Sequence, residues 1–245
     1  MIWLTWRRYR VRLILLALYV LALIVFMFIT EHAFHIATAH CPQQLIRTDQ
    51  GDFCGHGVSR IESNASWVAN GIGILPVLIG MVFGAPLVAT ELYAQTNRLT
   101  WMQGVTRTKW LVYSWLTLTT ATVFLMSMLA LFVQWWATHV VASNFSGGGL
   151  NQQYPFMITG VAPVALTIFS LSFGAFVGVA VRRFVSPYFV TLIGLAVAWT
   201  FLGNKYRPTV PSDYWLRQWS EAGIYAALSA TFLGLAIWAV RRWRV

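Results

Sequence analysis

Residues 13–30 read LILLALYVLALIVFMFIT, and the twelve residues before them read MIWLTWRRYRVR. The apolar run carries no charge, and four arginines (Arg7, Arg8, Arg10 and Arg12) stand directly in front of it. About 20 consecutive apolar residues form a helix long enough to cross the hydrocarbon core of a bilayer. Lipid cannot hydrogen-bond an open backbone, so such a run must be helical. A cleavable signal would also begin with arginines and an apolar core, and Ala37-Thr38-Ala39 would serve as its cleavage site. The run is longer than the signal core of about 7–15 residues, which favours a retained span.

The same pattern recurs along the chain. Further apolar runs cover Trp67 to Ala89, Leu111 to about Ala137, Phe156 to Val181, Pro187 to Leu202 and Gly223 to Val240. The runs are continuously apolar, without the alternation of a membrane β-barrel. Of the 245 residues 58% are hydrophobic and only 10% charged, against about 25% charged in an average soluble domain. These observations predict an all-α polytopic membrane protein with six spans, and they exclude a soluble enzyme domain and a disordered chain. The net charge of +10 does not indicate nucleic acid, because the arginines end apolar runs and do not line a polar face.

Charge also orients the spans. With the N-terminus in the cytoplasm, the inner segments 1–12, 90–110, 182–186 and 241–245 hold 12 of the 17 Lys and Arg residues. Short cytoplasmic segments retain positive charge, so both termini are placed inside. Six of the seven acidic residues fall outside, Glu91 being the exception.

The largest outer loop, Glu31 to Ser66, holds Cys41 and Cys54. A disulfide is permitted on that face. It would stabilise the loop by roughly 3 kcal/mol. Two free thiols are the alternative. The loop also holds His32, His35, His40 and His56, but in no standard zinc spacing, and no metal is expected. Aromatics among the charges of 204–222 predict a short interfacial helix after the fifth span. The second run carries Gly71, Gly73, Pro76, Gly80, Gly84 and Pro86, which fits either close helix packing or a kinked transport path. In the third run, the hydroxyls of Ser114, Thr117, Thr119, Thr120 and Thr122 are expected to bond backbone carbonyls of their own helix.

Between the second and third runs lies GAPLVATELYAQTNRLTWMQGVTRTKW, residues 84–110. It is too polar to span and too long for a bare turn. Leu92, Thr96, Leu99 and Met102 align on one side of a helix, and Gly104 and Thr106 mark a break before the next helix starts near Thr108. This is an amphipathic elbow on the inner face.

The elbow resembles permease subunits of type-2 ABC exporters, in particular the compact six-span permeases of actinobacteria. Their pattern is GAPLVAxE, a Thr-x-Arg-Leu stretch, and TQSVTR followed by a basic residue and Trp. The matching residues here are Gly84 to Glu91, Thr96 to Leu99, Gln103 to Arg107, and Trp110. Leu4 to Arg10 is similar to the family's opening, Trp-Arg-x-x-Arg. Gln95 departs from the pattern where a glycine is common, and Gly104 where a small polar residue is usual.

The resemblance implies one permease domain over 1–245, an N-terminal interfacial helix, and a coupling helix between spans two and three. It implies partners as well: two copies of a cytoplasmic ABC ATPase and a second permease copy, a homodimer ahead of a heterodimer, all in a bacterial plasma membrane. Coupling to the ATPase would fall to Glu91, Thr96, Arg98, Leu99, Trp101, Gln103 and Arg107. The substrate path would run between the second and fifth spans. One face of each supplies Asn70, Ile74, Leu78, Met81, Tyr188, Thr191 and Leu195, an apolar lining suited to a drug, lipid or lipopeptide.

The residues agree with that division of labour. A P-loop requires a lysine after a glycine, and the only lysines, Lys109 and Lys205, follow Thr108 and Asn204. No cofactor is expected in this chain, and ATP and Mg would belong to the partner. Arg7 and Arg10 are assigned to lipid phosphates. Two other classes remain at this point: a membrane-embedded lipid-modifying enzyme using the outer histidines, and a scaffold or sensor that transports nothing.

Overall fold

A computed structural model describes residues 2–39, 67–68, 70–94, 106–136, 158–181, 186–205 and 214–242. Every regular element among them is helical. We label the helices α1 (Ile2–Ala39), α2 (70–94), α3 (Arg107–Trp136), α4 (Ala162–Ala180), α5 (Ser186–Lys205) and α6 (Tyr214–Arg242). Five of the six are long and apolar enough to cross a membrane. The apolar part of α5, Ser186–Ala198, is shorter than the other five.

α1 is one helix of 38 residues. At about 1.5 Å per residue it is roughly 57 Å long, far more than the roughly 30 Å of hydrocarbon it has to cross. The separate N-terminal interfacial helix implied by the family resemblance is therefore corrected: that segment and the first span are continuous. The reason is local. The first proline is Pro42 and the first glycine Gly51, so nothing earlier interrupts the backbone ladder. Only a narrow stripe of α1 is buried, including Tyr9, Leu13, Val20, Met27 and Thr30, whereas Ile14, Leu15, Leu18 and Leu21 are exposed. Such a helix is held along one edge and faces lipid on the other.

The start of α6 is a second correction. The aromatic stretch read as an independent interfacial helix is the opening of α6 itself, which begins at Tyr214 and continues unbroken for 29 residues. No proline or glycine lies between Pro211 and Gly223. Its first turns are two-faced: Tyr214, Gln218, Ala222 and Tyr225 are buried, and Trp215, Leu216 and Trp219 are exposed.

α4 is the hub, touching α2, α3, α5 and α6. Lipid supplies no hydrophobic drive between helices, so their cohesion rests on close contact and hydrogen bonds. One packed cluster joins α1, α2 and α3 with parts of α4 and α6. A second, centred on Phe169, Leu195 and Tyr225, joins α4, α5 and α6 to Val77 of α2. Ser172 of α4 and Ser229 of α6 share a hydrogen bond of 2.7 Å. In α3, Thr117, Thr120 and Thr122 donate to the carbonyls of Tyr113, Leu116 and Leu118, while the buried Thr119 hydroxyl has no partner among the described residues.

Candidate functional site

The centre of α2 departs from α-helical geometry. Gly80–Gly84 form a π-helical segment, closed by the Ala85 N–H donating to the Gly80 carbonyl. Such segments add a residue to one turn and recur at functional positions. Glycines bound the segment at both ends, and both face α4. A Cβ at Gly84 would stand 2.8 Å from the Leu171 carbonyl oxygen, and one at Gly80 would stand 2.6 Å from that of Ser170 and 2.8 Å from Leu195 Cδ1 of α5. On α4, a Cβ at Gly174 would collide with the Gly80 carbonyl, and one at Gly178 with the Ala85 carbonyl. The backbones of α2 and α4 therefore touch along a seam that admits no side chain, with α5 meeting it at Gly80.

Pro86 adds a second irregularity. In an α-helix the carbonyl of residue 82 accepts from the N–H of residue 86, and proline has none. α1 supplies a donor from outside the helix: Arg12 Nη1 donates to the Val82 oxygen at 3.0 Å. The guanidinium also lies 5.5 Å from the ring of Tyr9, a cation–π distance. Tyr9 in turn meets Phe83 with ring centroids 6.3 Å apart. Arg12 thus ties α1 to the irregular part of α2. Beside it runs a groove of about 320 Å³ between α1 and α2, whose lining includes Arg12, Leu15, Tyr19, Leu75 and Leu78.

Two hydroxyls near the seam are unusual. Ser170 of α4 and Thr191 of α5 are fully buried. Neither oxygen has a hydrogen-bond partner among the described residues. The beginning of α4, in contrast, is hydrogen-bonded to α6. Gln218 of α6 accepts from the Ala162 N–H at 2.9 Å and donates to the Thr159 carbonyl at 3.1 Å. The Thr159 and Tyr214 hydroxyls lie 2.8 Å apart. Gly160 turns the chain here with φ 74°; a side chain at that φ is strained, and its Cβ would meet Gln218 Oε1 at 2.8 Å.

Residues 13–207 match the model of the family described as ABC-2 membrane transporter related. The chain belongs to this family. It is a type-2 ABC permease and a multi-pass membrane protein. Searches of curated proteins and of solved structures found no match.

In this ABC-2 permease the residues proposed for the elbow lie at the margin of the described chain. Glu91 is on the last turn of α2, which ends at Ala94, and Arg107 is the first residue of α3; the side chains of both are outside the described set. Thr96, Arg98, Leu99, Trp101 and Gln103 lie outside the described residues, as do Cys41, Cys54, His40 and His56. Thr106 opens α3 as its cap: its hydroxyl accepts from the Lys109 N–H at 3.4 Å, and its carbonyl accepts from the Trp110 N–H at 3.0 Å.

The path residues of the permease separate into three environments. Asn70 and Ile74 are exposed, Leu78, Met81 and Tyr188 half-buried, and Thr191 and Leu195 buried. Leu195 packs toward Gly80 on one side of α2, while Leu78 lines the groove toward α1. Leu78 and Leu195 therefore face different neighbours. Arg12, Ser170, Gly174, Gly178 and Gln218 were not singled out from sequence as site residues. The spacing Gly80-x-x-x-Gly84 and Gly174-x-x-x-Gly178 is the signal that would have found the seam, as a paired small-residue motif.

Proposed function

We propose that this chain is the transmembrane subunit of an ATP-driven exporter that moves a hydrophobic or amphipathic molecule out of the cytoplasm or inner leaflet. The family match over residues 13–207 carries this reading. The chain crosses the membrane six times, α5 being the shortest crossing, with both termini in the cytoplasm. The distribution of positive charge supports that orientation. The contact of Arg241 Nε with Thr108 Oγ1 at 3.4 Å brings the end of α6 beside the start of α3, in keeping with these two segments sharing a side.

Two copies of the permease pair, and each carries a P-loop ATPase on its cytoplasmic face. ATP binding draws the ATPases together and pushes on the elbow from Glu91 to Arg107. The push reaches α2 just below its π-helical segment, where a turn with altered hydrogen bonding can change register at low cost. The glycine seam transmits it to α4, which also contacts α3, α5 and α6. α2 and α5 then rearrange, opening the path past Asn70, Ile74, Leu78 and Met81 on one and Tyr188, Thr191 and Leu195 on the other. On the outer face Cys41 and Cys54 form a disulfide.

Affinity purification of the tagged permease tests the assignment. A P-loop ATPase is expected to copurify, and Glu91→Ala is expected to leave that complex assembled while ATP hydrolysis no longer drives export. Copurification without any nucleotide-binding protein would refute the proposal. Unimpaired coupled transport by Glu91→Ala would remove the role given to that carboxylate.

A further inference from the structure

We propose that the groove between α1 and α2 is a binding site for an anionic phospholipid of the bilayer, its phosphate on Arg12 and one acyl chain lying along the groove toward Tyr19. Apart from Arg12 and the Tyr19 hydroxyl, the lining is hydrocarbon and aromatic ring. The cation is at one end. Arg12 meets Val82 and Phe83, while Tyr19 stands seven residues further along α1, its hydroxyl 3.2 Å from where a Gly71 Cβ would lie. Seven residues of α-helix extend roughly 10 Å, about two-thirds of the depth of one leaflet. The groove follows a membrane-crossing helix, so it runs along the direction of the acyl chains. It opens sideways: Leu15 is 60% exposed and Tyr19 40%.

Charge selects the head group. The guanidinium has five N–H donors in a planar fork suited to phosphate. One of them is taken by Val82, and the guanidinium also meets the ring of Tyr9. The first acidic residue in the sequence is Glu31, 19 positions or about 28 Å along the same helix, so no carboxylate of α1 competes for the Arg12 end. A zwitterionic lipid would bring its own cation to that end and gain less. The inference rests on α1 crossing the bilayer and stands whether or not an ATPase drives the chain.

Native mass spectrometry of the full-length permease in detergent, titrated with phosphatidylglycerol or with phosphatidylcholine, tests this. One phosphatidylglycerol per chain is expected to be retained, preferred roughly fivefold over phosphatidylcholine. Arg12→Gln should abolish the preference and Arg12→Lys should keep most of it. Leu78→Trp, which fills the groove and leaves the charge, should reduce retention of both lipids. Three results would overturn the proposal: unchanged selectivity in Arg12→Gln, unchanged retention in Leu78→Trp, or displacement of the lipid by millimolar inorganic phosphate, which would indicate a site for free anions. Should Arg12→Gln not fold, Leu78→Trp and the phosphate competition decide the matter.

Discussion

Replacing Gly174 by alanine adds one methyl group at the centre of the α2–α4 seam, and its cost follows from the backbone positions. The new Cβ would lie 2.9 Å from both the Gly84 Cα and the Ala85 nitrogen, and would collide with the Gly80 carbonyl oxygen. Ordinary contact begins at 3.4 Å. All three neighbours are backbone, so no rotamer change relieves the overlap and the helices must separate. A gap of about 0.5–1 Å forfeits a quarter to a half of each dispersion contact it opens. Overpacking of a well-filled interior costs about 1–3 kcal/mol, and a site bounded by rigid backbone belongs at the upper end. Gly234→Ala is the matched control. Nothing lies within 4 Å of its Cβ, and glycine to alanine in a helix gains up to about 1 kcal/mol. The propensity gain applies at both positions and cancels, so the two differ by the packing cost alone, roughly 1–3 kcal/mol, with opposite signs expected at its upper end. Unfolding of the purified permease by increasing mole fraction of SDS in mixed micelles, followed by tryptophan fluorescence and helical circular dichroism, measures the difference. Equal stabilities within about 0.5 kcal/mol would show that the seam is not close-packed and would refute the reasoning.

Arg12 and Pro86 should be coupled. Arg12→Ala leaves the Val82 carbonyl without its donor and is expected to cost about 1–3 kcal/mol. In a Pro86→Ala background the restored N–H takes over that carbonyl, and a double-mutant cycle in the same unfolding assay should show at least about 1 kcal/mol of coupling; additive effects would mean that the Arg12 bond does not compensate for the proline. At the start of α4, Gln218→Ala removes the bonds to both Ala162 and Thr159 and should destabilise by about 1–3 kcal/mol. Gln218→Glu tests the donor side separately: an ionised carboxylate still accepts from Ala162 but cannot donate to Thr159. Its stability should rise as pH falls and the carboxyl gains a proton, and a pH-independent loss would contradict the assigned bonds.

Several features were legible before any fold was known, because a single physical quantity determined each. Apolar run length located the helices, and the proline and glycine content of the second run marked it as irregular. The start of the third helix, placed near Thr108 from Gly104, Thr106 and the return of apolar residues, lies at Arg107. The helix limits were less legible. Hydropathy reports where lipid begins and ends, whereas a helix stops only where its backbone ladder is interrupted, so α1 extends past residues 13–30 at both ends and α6 begins nine residues before its apolar run. The path residues were harder still. Periodicity assigns Ile74, Leu78, Thr191 and Leu195 to faces, but it does not say which neighbour each face meets. In an apolar helix the core-facing and lipid-facing sides have nearly the same composition.

The sequence alone established that this chain is helical and embedded in a membrane, that its arginines cluster at the ends of apolar runs, and that the second run is made irregular by its glycines and prolines. These follow from desolvation of peptide groups, from the positions of charge along the chain and from covalent structure, and none depends on what packs against what. Tertiary structure decided which partner answers each local deficiency: Arg12 for Val82, Gln218 for the start of α4, and the glycines of α4 for those of α2. Each pairing joins residues dozens of positions apart, and only the packed arrangement of the helices brings them together.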